Sequence, residues 1–404
     1  MAEPPVRASS RIRSARANRR PPSFAATLVA LAIVFALAWA FFVRSGPSAS
    51  APQVEGIRGE YTWTSAGGAV LERGAFSAVA GGDAGGGSIP GDVSPESGPS
   101  STAYDATARV ESRVSRDGAA AVGVRTVGAW PPVWRLATAD PLDYQGLAAV
   151  VRAAVEDGDR AVGVKPLKQG ERAVWRAAMT IDGREIDLVV DQETGITTWC
   201  SDGGRTFTAV VDWASPPPAG QTYSVTPPAG TAMDTVRDGT VYFPSPAAAG
   251  RTAGYAPLVS DLAPDGFTVR AVAAWSADHR PAQWLDEDAA SDTAAGPAEL
   301  LVAQLYTRGL SWFAMEQLGP GASRTLGGSF VESTEAAARA KLSFQQTTLQ
   351  YGAFKGRTAS TWYQESGPSL FVAGPHRAVF VTGALTRREL VAFAEGLEPV
   401  TAPE

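Results

Sequence analysis

The chain has one cysteine, Cys200, and only two histidines, His279 and His376. A lone cysteine rules out an internal disulfide, and Cys200 lies too deep in the chain to carry a lipoprotein anchor. Its plain reading is a small buried hydrophobe. Two histidines cannot build a three-histidine zinc site, and neither HExxH nor CxxC occurs. Neither histidine has further His, Cys or clustered carboxylates at ligand spacing, so no metal and no cofactor is expected. The Gly/Ser/Pro-rich stretch Gly81–Ser101 lacks the lysine and the GxxxxGK[ST] spacing of a phosphate cradle; it reads as a surface loop. Within it, Gly87-Ser88-Ile89-Pro90 lacks the second glycine of a nucleophile elbow. Asp286-Glu287-Asp288 lacks the alternating spacing of a calcium loop and reads as a solvated acidic segment. No local arrangement supplies a nucleophile with its base, and catalysis is not expected.

Lysine is scarce while Ala, Gly, Arg and Val abound, a composition suited to a GC-rich bacterial genome. The formal net charge is −6, yet the segment before Ser23 carries an arginine cluster at Arg7, Arg11, Arg13, Arg16, Arg19 and Arg20. The remainder is therefore strongly acidic, which argues against nucleic acid as a partner. Phe24 to Val43 contains no charged residue. An apolar helix of about 20 residues spans a bilayer, and flanking arginines stay on the cytoplasmic side. The expectation is a single-pass membrane anchor with the N-terminus cytoplasmic and the rest of the chain extracytoplasmic. The competing reading, a cleaved secretory signal, fits less well: its apolar core is usually 7–15 residues, and Trp39, Phe41 and Phe42 crowd the cleavage region.

The expected organisation is a basic tail (1–22), the transmembrane helix (23–43), a Ser/Pro/Ala-rich linker (44–53), a first domain (54–218), a Pro/Gly/Ala-rich connector (219–254) and a second domain (255–399). In the first domain a strand is expected at Ala121–Val127. A helix follows Asp140-Pro141, which can serve as N-cap and first helical residue. Its apolar stripe is Leu147, Val150, Val151, Ala154 and Val155, and Gly158 ends it. The period then changes to two. Ala173, Trp175, Ala177 and Met179 share a face, Asp182-Gly183 marks a hairpin, and Ile186, Leu188 and Val190 alternate with polar neighbours. A turn at Glu193-Thr194-Gly195 and a strand bearing Phe207, Ala209, Val211 and Trp213 complete an antiparallel meander with one apolar face. In the second domain strands are expected at Phe267–Trp275, Leu300–Tyr306, Leu310–Gln317, Thr347–Phe354, Thr358–Tyr363, Ser369–Ala373 and Ala378–Thr382. A final helix opens with the capping box Thr386…Glu389 and buries Leu390, Phe393, Ala394 and Leu397.

Trp175, Met179, Leu188, Val190, Phe207, Val211 and Trp213 form one apolar stripe. It reads either as core beneath a helix or as the lining of a cavity for an acyl chain; these seven are the candidate ligand-binding residues.

Asp187-Leu188-Val189-Val190-Asp191-Gln192-Glu193-Thr194-Gly195-Ile196, with the following Phe207–Trp213 strand, resembles the hairpin of LolA-like lipoprotein-binding domains. Ala263-Pro264-Asp265-Gly266-Phe267 and Leu305-Tyr306-Thr307-Arg308-Gly309-Leu310-Ser311-Trp312-Phe313 are similar to the second domain of RseB/MucB-type sigma-E regulatory proteins, and the domain order agrees. Arg308 stands where that family usually has an acidic residue, and family members usually lack an anchor. The resemblance implies an α+β fold: a LolA-like antiparallel half-barrel wrapped on a helix, then a smaller α+β domain. It also implies a lipid or lipoprotein ligand, an anti-sigma factor or other membrane protein as partner, and no catalytic residues. The alternatives are a non-catalytic cell-envelope assembly or scaffold protein and, further off, an envelope hydrolase with dispersed active-site residues.

Overall fold

The computed structural model describes residues 54–79, 87–89, 91–92, 101–105, 109–117, 120–128, 145–217, 227, 229–237, 240–276, 300–319, 334, 336–375 and 377–400. All of them belong to one compact unit, Ser50–Glu404. Strands β1 (Gly56–Ser65), β2 (Val70–Val79), β3 (Gly87–Ile89), β4 (Gly91–Asp92), β5 (Ser101–Asp105), β6 (Val110–Asp117) and β7 (Ala120–Val127) precede helix α1 (Gln145–Asp157). Strands β8 (Gly163–Gln169), β9 (Arg172–Ile181), β10 (Arg184–Asp191), β11 (Thr197–Ser201), β12 (Arg205–Val211), β13 (Ala232–Arg237) and β14 (Val241–Phe243) follow, then helix α2 (Pro246–Ala253). The remainder is β15 (Leu258–Ser260), β16 (Thr268–Ser276), β17 (Leu300–Arg308), β18 (Ser311–Leu318), β19 (Leu342–Thr348), β20 (Thr358–Gln364), β21 (Gly367–Ala373), β22 (Ala378–Gly383), helix α3 (Arg387–Glu395) and β23 (Leu397–Pro399).

The expected α+β class is corrected by this inventory: the described chain is predominantly β-sheet. A 13-stranded sheet runs β13-β7-β6-β5-β3-β2-β1-β12-β11-β10-β9-β8, with β4 beside β2, and an 8-stranded sheet runs β14-β16-β17-β18-β22-β21-β20-β19. The transmembrane helix of the expected fold is not found either: no helix among the described residues is long and apolar enough to cross a membrane. Helix α1 has 13 residues, against the roughly 20 that a bilayer requires. Phe24–Val43 itself lies outside the described residues, as do Asp140-Pro141, His279, His376 and the Asp286–Asp288 segment.

Two further expectations are corrected by pairing. Gly81–Ser101 is more than a loop, since β3 pairs with β2 and β5 around Ser88. The connector is not irregular: β13 adds in parallel to β7, matching Ala232 with Val122 through Arg237 with Val127, and β14 and α2 follow within it. Thr347–Phe354 is strand only at its start, because β19 ends at Thr348 and the chain turns. Gly352, at φ 71°, enters that turn with its Cα against the Glu395 carbonyl, where a Cβ would come within 2.4 Å.

The Asp182-Gly183 hairpin forms as the dipeptide dictates. Ile181 pairs with Arg184, and both loop residues have positive φ, 50° and 76°, as a type I′ turn requires. Along β10, Ile186, Leu188 and Val190 are buried. The face they share with Ile57, Tyr61, Phe76, Met179 and Phe207 is covered by Leu147, Val150, Val151 and Ala154 of α1. Val155 is the exception to the expected stripe, at 41% exposure, because it faces outward near the helix end; Gly158 terminates the helix at φ 66°. Every residue of α1 from Gly146 to Ala154 is buried. The reason is the second sheet, since the opposite side of α1 packs on β20 and β21 and Tyr363 of β20 joins the first core. Helix α3, capped by the expected Thr386–Glu389 box, lies beside α1 and covers Phe313, Met315, Leu370 and Val381.

Candidate functional site: the helix clamped between two sheets

Of the seven candidate lining residues, Met179, Leu188, Val190 and Phe207 are buried in the core beneath α1. Trp175, Val211 and Trp213 are partly buried against that core. Trp213 has a further task, because the Arg172 guanidinium stacks 4.1 Å from its ring centre. Arg172 in turn holds buried Asp191 at 2.5 and 2.9 Å, and Asp191 also accepts from Thr194 N and Thr194 Oγ1, both at 2.8 Å. The Asp-x-x-Thr-Gly residues that carry the resemblance therefore form a self-satisfied turn. Burial is the largest single influence on Asp191 and would raise its pKa, but the hydrogen bonds from Arg172 and Thr194 outweigh it and hold the carboxyl below its usual value.

Trp175 also borders a crevice with Thr194, Gly195, Gln145, Ala149, Arg152, Leu310 and Ser311 among its walls. Its volume is ≈ 30 Å³, above the roughly 10–15 Å³ that a single water needs. At its floor Arg152, whose side chain is 5% exposed, donates from Nη2 to the Ala384 carbonyl at 2.5 Å. It also pairs with Glu156 at 3.8 Å and with Glu389 of α3 at 3.9 Å. One turn on, Asp157 Oδ2 accepts from the Tyr363 hydroxyl and from the Arg387 backbone N–H, each at 3.2 Å. Arg387 donates to the Ser343 carbonyl at 2.9 Å and to Asp159 at 3.4 Å, and its guanidinium lies 5.1 Å from the Tyr363 ring centre. Ser343 bonds Asp159 from the other side. Lys341–Asp182 and Arg184–Glu365 extend the joint at its rim.

These charges are tuned by their surroundings. Burial pushes the Glu156 carboxyl up to about 7, with Arg152 opposing and Glu389 and Asp157 reinforcing. Burial likewise raises Asp157, against the hydrogen bond from the Arg387 backbone. Asp159 moves the other way: burial would raise it, but Ser343, the Ala161 N–H and Arg387 together hold it down. The sequence reading missed this cluster. Its one legible signal is Arg152 with Glu156 at i,i+4, a charged pair inside an otherwise apolar helix. Asp157, Tyr363 and Arg387 are far apart in sequence and meet only through the fold. Among the described residues no group of three or more His, Cys, Asp or Glu could hold a metal ion.

No protein-family model and no curated protein matches the chain. Solved structures give distant likenesses. MucB is 12% identical, with 91% of this chain and 98% of that chain covered at a TM-score of 0.25. MucB in complex with MucA(peri) is 12% identical over 87% of this chain and 95% of that one, TM-score 0.24. PNGF-II is 7% identical over 55% and 41%, TM-score 0.24. Likeness at this level assigns neither family nor activity.

Proposed function

We propose that the folded unit is a non-catalytic, extracytoplasmic binding and regulatory module of RseB/MucB type. It senses a lipid or lipoprotein and contacts a membrane protein such as an anti-sigma factor. The observation that supports this reading is the burial of α1 on both sides: one helix is shared by two large sheets, and the charged groups around it engage one another across the joint. An element held by two modules is suited to transmit occupancy from one to the other. The partner and ligand classes come from the residue resemblance at 187–213, 263–267 and 305–313. An acyl ligand would reach the seven-residue stripe only as α1 lifts from it, so ligand and joint compete for the same helix.

Deleting the gene from its host, with transcript profiling, tests the reading. The expected result is a changed output of one extracytoplasmic sigma-factor regulon, together with cross-linking of the full chain to the cognate anti-sigma factor. An unchanged transcriptome, with no membrane-protein cross-link and no extractable lipid, would sink it.

A further inference from the structure

Arg308 closes β17 at the two-residue loop Gly309-Leu310 and is paired across the hairpin with Ser311. Arg308 is 9% exposed. Its Nη1 donates to the Asp265 carbonyl at 3.0 Å, and its guanidinium lies 5.2 Å from the Phe267 ring centre. The close turn at Gly266 fixes its stem, for a Cβ there would meet Arg308 Cδ at 2.7 Å. The remaining edge, Nε and Nη2, is buried and meets no hydrogen-bond acceptor among the described residues.

Those two atoms are the side-on fork of a guanidinium, whose parallel N–H bonds match the two oxygens of a carboxylate. A buried cation with unmet donors carries a large desolvation cost, and an acceptor at that edge removes it. The charged neighbours are Arg152 and Glu389, with Asp265 nearby, and Glu156 stands on the far side of Arg152. Arg152 donates a hydrogen bond to the Ala384 carbonyl and pairs at longer range with Glu156 and Glu389. Arg152 and Arg308 stand together beside the partly exposed Glu389, and a carboxylate at the unmet edge of Arg308 adds negative charge beside two guanidinium groups. A dianion would instead be repelled by Glu389.

We propose that Arg308 is a carboxylate receptor at the joint of the two sheets. It takes the carboxylate of a partner's acidic side chain or chain end, or of a small acid. The assignment stands whether or not the partner is an anti-sigma factor.

The test is thermal unfolding of the full chain in sodium acetate, against sodium chloride at equal ionic strength, with wild type, Arg308→Lys and Arg308→Met. The wild type should be stabilised saturably by acetate. Arg308→Lys keeps the charge but not the fork, and its midpoint acetate concentration should rise about tenfold. Arg308→Met should fold at least as well without acetate, since it removes an uncompensated buried charge, and should lose the response. Equal responses in wild type and Arg308→Met would overturn the proposal, as would chloride acting as well as acetate. Inorganic phosphate acting through Arg308 at lower concentration than acetate would overturn the carboxylate assignment.

Discussion

Glu156 offers the sharpest test of the joint. Its native carboxyl titrates near 7 rather than 4.5, chiefly because it is buried. The native state therefore binds a proton that the unfolded chain releases between those values, and stability must fall as pH rises through that window. The advantage of the protonated form is complete below about 4.5 and gone once the pH has passed about 7. The full displacement corresponds to about 3.4 kcal/mol against the charged form. The side chain is 22% exposed, and screening by water reduces the effect to about 1–2 kcal/mol. Replacing Glu156 with Gln keeps the shape and removes the charge. Urea unfolding of the full chain at pH 5 and pH 8 should then give nearly equal stabilities for wild type and Glu156→Gln at the lower pH. At the higher pH the variant should be the more stable by about 1–2 kcal/mol. The slope should not vanish entirely, because burial also raises Asp157. Parallel pH curves for the two proteins, or a variant weaker at pH 8, would refute the claim that this carboxylate is held against its preference.

Asp191→Ala should cost about 2–3 kcal/mol, since it unties Arg172 and Thr194 together; circular dichroism during urea unfolding would show it. Gly146→Ala would place a Cβ 2.0 Å from the Glu365 carbonyl oxygen, so it should loosen α1 from the second sheet at a cost of about 1–3 kcal/mol. That should speed proteolysis in the connector, and an unchanged digestion pattern would contradict the shared-helix reading. The Cys200 thiol is buried and pushed up to about 12, so iodoacetamide at pH 8 should leave native protein unlabelled and react only after urea is added.

Local rules were legible wherever the signal was local. Asp182-Gly183 gave its hairpin, Thr386…Glu389 its cap, and the alternation from Ile186 to Val190 its buried face. What failed was long-range. The pairing of β13 with β7 could not be read from a Pro/Gly/Ala-rich segment, because all six of its residues are exposed and no periodic apolar face announces it. The burial of α1 on both sides was hidden for a related reason: a helix rich in small residues, with one arginine, looks amphipathic until its second neighbour is known. The joint itself joins Asp157, Ser343, Tyr363 and Arg387, residues that no motif search would collect. The Asp-x-x-Thr-Gly stretch was conspicuous in sequence, yet its polar groups satisfy each other within a turn.

The late arrival of β13 has a consequence for how the chain can be cut. Although β12 has already docked against β1 by Val211, the rim strand of the large sheet is synthesised only after a further stretch of chain. A fragment ending at Pro218 would leave β7 as a bare border, its exposed Val122 and Val124 beside unpaired backbone and open to edge-to-edge association with other copies. Met233 seats its sulfur on Gly123, where any Cβ would come within 1.9 Å of it, so that border is shaped for its own lid. Anyone dissecting the protein into halves should cut beyond Arg237, or expect the first half to precipitate.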